Sequence, residues 1–282
     1  VGNEAMGAGT VTGSENEALG RRALKNLTSG AGNVAVGTET LLDTTSGSQN
    51  VAVGKQALEN CNSGGNNVAV GYQTLRNTTG TGNIAIGKET AKSNTSGVRI
   101  IAIGAEAYDG ADTENDNLAI GEGALGGSVA GGEYNVAVGN YTLDALTSGD
   151  YNTSIGYGSG SAVTEGDRNV FVGSLAGDVL TTGSDNTAGG SGGLNALTEG
   201  SSNTAFGRAA LGAVTTASNN TALGNHAGLG ITTGADNIAI GYQAIDAADT
   251  EGNNLAIGKA ALGGSVAGGE YNVALGNYSL DA

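Results

Sequence analysis

The stretch Asn33-Val-Ala-Val-Gly37 decides the fold, because it returns almost unchanged at residues 50–54 and again at 67–71. Aligned on Asn-x-Ala-x-Gly, the chain carries seventeen copies, starting at residues 3, 16, 33, 50, 67, 83, 100, 117, 135, 152, 169, 186, 203, 220, 237, 254 and 272. After a short first interval the step is 17 residues, with excursions to 16 and 18. With the Asn counted as position 1, Gly at position 5 is present in every copy, and the Asn fails only at Ile100. Position 3 is Ala except at Ser154 and Phe171, and position 4 is apolar except at Gly189. A fixed period of this length marks a repeat architecture, in which each unit buries its apolar face only by stacking on its neighbours.

The rest of the unit is looser. Position 8 is small (Ala23, Thr40, Ala57, Thr74), position 9 is often Leu (Leu24, Leu41, Leu58, Leu75), and a second Gly falls near position 15 (Gly30, Gly47, Gly64). Thr, Ser, Asn and Asp lie between. A longer period overlies the short one: residues 100–145 and 237–282 match at 35 of 46 positions, an offset of 137, or close to eight units.

Seventeen residues are too few for two helices and a turn, but they suit one coil of a β-solenoid. Val and Ile at positions 2 and 4 favour a strand and alternate with the Ala of position 3. Both faces are apolar, so the pattern predicts an interior strand covered on each side. The fold expected is all-β, a parallel β-solenoid or β-roll of about 17-residue coils running as one array over residues 1–282. The Asn column is expected to form a ladder of side-chain amides. The invariant Gly is expected to turn a sharp corner. One coil encloses little volume, so the Ala face is expected to need a second chain. Position 2 carries Thr153, Thr187, Thr204 and Thr221, with Glu4 and Glu17 at the N-terminal end, and is therefore expected to be less buried than position 4. The alternative is a monomer with Ala inside and Val half covered.

Composition narrows the function. Gly is 53 of 282 residues and Pro and Trp are absent, which suits a narrow core built from Ala, Val, Ile and Leu. The net charge of −16 repels nucleic acid and anionic membranes, and no apolar run is long enough for a membrane helix. With Cys61 as the one cysteine, no internal disulfide forms. A chain that starts at Val1 and stops within a repeat at Ala282 reads as a fragment of a longer fibrous protein.

The NVAVG, NIAIG and NLAIG cores resemble the head repeats of trimeric autotransporter adhesins, and related repeats in phage tail fibres, across the whole chain. The resemblance implies a left-handed parallel β-roll with three chains around a common axis. It implies an extracellular structural or adhesive segment, on a cell surface or a virion. Such a segment holds a receptor-binding tip away from its base, the receptor being a cell-surface glycan or protein. The unit here is longer than the usual adhesin head repeat.

Candidates for chemistry are few. His226 is the one imidazole and is expected at the surface; Cys61 lies in the stretch ENCNSGG, expected as a variable turn. The acids of DTEND (112–116) and DTEGN (249–253) are expected as solvated turns, with weak calcium binding and a glycosidase pair as lesser readings. GGSGG at 189–193 lacks the Lys and helix of a phosphate loop and is expected to mark the weakest coil, 186–202. Tyr72, Tyr108, Tyr134, Tyr141, Tyr157, Tyr242 and Tyr271 are read as packing or rim residues, with glycan contact as the alternative. The sequons at Asn77 and Asn94 carry little weight. No catalytic, cofactor or metal residue is assigned. The expectation is a non-enzymatic, homotrimeric fibre segment. A polysaccharide-degrading tailspike-like solenoid is the alternative, and an ice-binding solenoid ranks below it because its Thr column is broken by Val170.

Overall fold

A computed structural model of the chain describes residues 2–7, 10–127, 131–247, 250–264 and 269–281. It divides into two units, Val1–Tyr141 and Thr142–Ala282. The first holds strands β1 (Glu17–Leu19), β2 (Val34–Val36), β3 (Val51–Val53), β4 (Val68–Val70), β5 (Ile84–Ile86), β6 (Ile101–Ile103), β7 (Leu118–Ile120) and β8 (Val136–Val138). The second holds β9 (Thr153–Ile155), β10 (Val170–Val172), β11 (Thr187–Gly189), β12 (Thr204–Phe206), β13 (Thr221–Leu223), β14 (Ile238–Ile240), β15 (Leu255–Ile257) and β16 (Val273–Leu275). Within each unit the strands stack in chain order, all parallel, with equivalent repeat positions opposite one another: Val34 pairs with Val51, Ala35 with Ala52, Val36 with Val53. This is a parallel β-solenoid of roughly 17-residue coils.

The Asn column forms the expected ladder. Asn33 Oδ1 accepts from both the backbone N–H of Asn50 (3.0 Å) and its side-chain Nδ2 (3.1 Å). Asn33 Nδ2 also donates to the carbonyl of Gly47 (2.8 Å), which ties position 1 to position 15 and closes the coil on itself. The amide is fully buried with its partners in place, as a buried polar group must be. Position 5 requires Gly twice over. Gly37 has φ +139°, and a Cβ there would stand 2.6 Å from the carbonyl oxygen of Gly54 in the next coil.

A second ladder had no counterpart in the sequence reading. After the Gly corner the chain alternates hands, with positive φ at positions 7 and 9 (Glu39 59°, Leu41 50°) and again at position 17 (Gln49 59°). Among the described residues 42 non-glycine residues have positive φ, a conformation that costs an L-residue about 1–2 kcal/mol. The stacking recovers this through hydrogen bonds. Glu39 N–H donates back to Arg21 O (2.9 Å), and Leu41 N–H donates forward to Ala57 O (3.1 Å). At the last corner the N–H groups of Thr45, Ser46 and Gly47 converge on the single carbonyl of Asn62 (3.0, 3.1 and 3.2 Å).

Four expectations are corrected. First, the copy starting at Asn3 is a false match. Arg22 N–H donates to Asn3 O, and Met6 N–H to Ala23 O. These are the bonds of positions 6 and 9, so Gly2 is the corner glycine and Glu4, with φ 58°, stands at position 7 rather than 2. Second, the strands are covered on one face only. Ala35, Ala52 and Ala69 are fully buried inside the coil, whereas Val51 and Val53 point outward at 38% and 37% exposure. The Ala face therefore needs no second chain. Third, position 4 is no more buried than position 2, as that Val pair shows. Fourth, Cys61 is not in a turn. It takes position 12, a core column that runs Leu27, Thr44, Cys61, Thr78, Asn94 in the first unit and Leu146, Val163, Leu180, Leu197, Val214, Ile231 in the second, all buried.

Candidate interaction surface

Burial alternates along the strand edge of every coil, and this alternation builds one outward face. In Gln49-Asn-Val-Ala-Val-Gly-Lys55, Gln49, Val51, Val53 and Lys55 are exposed, while Asn50 and Ala52 are buried. The face is thus four columns wide, with positions 2 and 4 in the middle and positions 17 and 6 at the rims. In the first unit the middle columns are almost purely aliphatic from β2 to β8: Val, Ile and Leu throughout. In the second they are mixed, with Thr at position 2 of β9, β11, β12 and β13, Gly189 at position 4 of β11 and Phe206 at position 4 of β12. Eight three-residue strands at the usual spacings make the middle of this face about 10 Å by 34 Å in each unit, about 340 Å² before the rims are counted.

The rims are polar and partly aromatic. Position 6 carries Arg21, Lys55, Lys88, Arg208 and Lys259, five of the eleven basic residues of the chain. Several of these are braced by the next coil: Arg21 by Glu39 (3.1 Å), Lys55 over the ring of Tyr72 (5.9 Å), Lys259 over that of Tyr278 (5.1 Å). Position 17 carries two in-column ion pairs, Arg99 with Asp116 and Arg168 with Asp185, each made through two hydrogen bonds. The guanidinium partner holds the carboxyls of Asp116 and Asp185 below the usual range. An apolar centre with a polar rim is the anatomy of a protein–protein interface.

The residues singled out in the sequence lie apart from one another. His226 is half-buried at position 7 with Nε2 3.2 Å from Arg208 Nη1. Cys61 is sealed in the core, where burial pushes its thiol up to about 11. The acids of DTEND are not simply a solvated turn. Glu114 is 5% exposed and takes the place of the position 15 Gly. Its carboxylate accepts from the N–H groups of Asp112 (3.1 Å), Thr113 (3.1 Å) and Gly131 (2.9 Å). Asp249 of DTEGN lies outside the described residues, and Glu251 accepts from Thr250 N–H (3.1 Å). Among the described residues no cluster of three His, Cys, Asp or Glu side chains is placed to hold a metal ion, and no helix is long and apolar enough to cross a membrane.

Two aromatic positions separate clearly. Tyr108 is fully buried at position 9; its O–H donates to Glu114 O (3.2 Å) and its oxygen accepts from Asn117 Nδ2 (3.1 Å). Tyr72, Tyr134, Tyr141, Tyr157, Tyr242 and Tyr271 are exposed. Of the sequons, Asn77 is exposed, but Asn94 is buried and bonded to Gly97 through both side-chain atoms. Gly189 is on the outward face, so its missing side chain leaves the coil interior as it is, and the ring of Phe206 lies over it, 2.5 Å from where a Cβ would stand.

One column escaped the sequence reading. Position 13 is Thr in six successive coils of the second unit: Thr147, Thr164, Thr181, Thr198, Thr215 and Thr232. From Thr147 to Thr215 each hydroxyl donates to the carbonyl of the next Thr in the column (2.9–3.3 Å). These hydroxyls are engaged along the stack rather than directed to solvent, unlike the open Thr array that ice binding would call for.

Compared with known proteins, the chain matches no family model, no curated protein and no solved structure.

Proposed function

We propose that the chain is a structural and adhesive segment of a homotrimeric surface fibre, a phage tail fibre or a bacterial adhesin, working outside the cell. The observation that carries this reading is the outward face of positions 2 and 4, two aliphatic columns left partly open along the first unit, as at Ile84 (37% exposed) and Ile86 (39%). A contiguous apolar surface of this kind is rarely left to water and is best covered by other copies of the same chain. The repeat resemblance supports three as the number of copies. In this reading hydrogen-bonded ladders give stiffness along the axis, the apolar columns seal the chains together, and the fibre carries a receptor-binding tip at a distance from its anchor.

Native mass by light scattering tests the reading. A stable trimer is expected. Val53→Asp together with Ile86→Asp, both on the outward face, should release folded monomers, with circular dichroism unchanged. A wild-type protein that stays monomeric at high concentration would overturn the proposal.

A further inference from the structure

A face made of identical steps fixes how copies adhere but not how they align. Slipping one chain past another by a single coil, about 4.8 Å, places Val on Val again. The first unit's outward face has this degeneracy, since its middle columns are Val, Ile and Leu from β2 to β8. Axial alignment must therefore come from places where the repeat is broken. On the second unit's face the largest break is the neighbouring pair Gly189 and Phe206, both at position 4.

The pair is complementary within one chain. A Cβ on Gly189 would stand 2.5 Å from Phe206 Cδ1 and 2.6 Å from Cε1, so the ring has settled back over the glycine. It remains 47% exposed, the only aromatic ring in the outward strand positions among the described residues. Beside it position 2 carries Thr187, Thr204 and Thr221, shorter than the Ile and Leu found at β14 and β15. We propose that Gly189 and Phe206 form an alignment key that sets the axial register between copies of this chain. The proposal rests on the homo-oligomer reading above. The first unit's face supplies adhesion with little register information, whereas a partner slipped by one coil would exchange the level match of Phe206 with Phe206 for Phe206 against Leu223 in one direction and against Gly189 in the other.

The test is pulsed electron spin resonance on full chains carrying a nitroxide at Ser191→Cys, an exposed position 6 in the same coil as Gly189. Cys61, the other thiol, is buried. The otherwise wild-type protein should give one narrow inter-label distance. Gly189→Val with Phe206→Val restores a uniform lattice, and Phe206→Leu removes the ring by one substitution alone. Both should keep the oligomeric mass but broaden the distribution towards longer distances, as slipped registers become populated. Narrow, unchanged distances in both variants at unchanged mass would overturn the alignment key and leave the oligomer standing, as would a broad distribution before any substitution. A monomeric mass would overturn the oligomer reading itself.

Discussion

Phe171 occupies the space that Gly177 leaves empty. A Cβ on Gly177 would lie 2.7 Å from Cε1 and Cζ of the Phe171 ring, and Gly160, one coil back, opens the other side, where its Cβ would stand 3.1 Å from Cδ2. Elsewhere position 3 is Ala, or Ser at 154, and position 9 is commonly Leu; here the large and small residues have changed places. The coil interior holds a fixed volume, as close packing requires, and the repeat satisfies it with either arrangement.

That exchange makes a reciprocal prediction. Gly177→Leu should lower stability by about 1–3 kcal/mol through overpacking. Backbone strain is not the cause, since Leu24 and Leu41 hold the equivalent positive φ. Phe171→Ala in the Gly177→Leu background rebuilds the common pairing and should recover most of the loss. Denaturant melts of the four proteins measure the coupling, and additive effects would contradict the packing.

The two faces of one strand should respond differently. Ala69 is fully buried and Val70 half-exposed. Ala69→Leu should lower the melting temperature of the single chain, at about 1–3 kcal/mol. Val70→Asp should leave the coil folded and act on association, read by thermal melts alongside native mass. A Val70→Asp chain that unfolds while Ala69→Leu is silent would reverse the inside and the outside.

Within the amide ladder, Asn186→Ala removes the acceptor used by Asn203 N–H and Nδ2 and the donor used by Gly200 O. Buried groups left without partners cost about 1–3 kcal/mol each, so a loss of several kcal/mol is expected in urea melts. Asn225→Ala, at exposed position 6, should stay within about 0.5 kcal/mol of wild type.

Cys61 gives a pH prediction. Burial holds the folded thiol at about 11 against an ordinary value of 9.0. A raised folded value keeps the proton on the native state longer than on the unfolded chain. The contribution is fully present below about pH 9 and is lost as pH rises towards 11, with a slope of about 1.4 kcal/mol per pH unit. Stability measured from pH 8 to 11 should fall less in Cys61→Ala. Iodoacetamide should label Cys61 in urea far faster than in buffer; equal rates would place the thiol at the surface.

The period, the parallel strands, the amide ladder and the corner glycine were legible because each rests on one residue type repeated at one position. The inside and outside of the strand were not, since Ala and Val are both apolar and alternation alone does not say which side the coil closes on. Asn3 misled because Asn-Glu-Ala-Met-Gly fits two stretches of the same coil, and only the hydrogen bonds to Arg22 and Ala23 separate them. The positive-φ positions were hidden for a different reason: Arg22, Glu39, Gln56 and Tyr141 share no propensity for that conformation. Cys61 was misplaced because its column in the first unit mixes polar and apolar residues, whereas the Leu, Val and Ile of the second unit mark it plainly. The outward face followed from knowing the inside, and its rims from the same alternation.

The amide ladder has one more consequence. Asn33 Oδ1 grips Asn50 in the same manner as Asn50 Oδ1 grips the backbone of Asn67. Excising residues 50–66 would hand Asn67 to Asn33 with nothing else in the seam altered. A chain shortened or lengthened by whole 17-residue rungs in this way would keep the grip of each remaining rung.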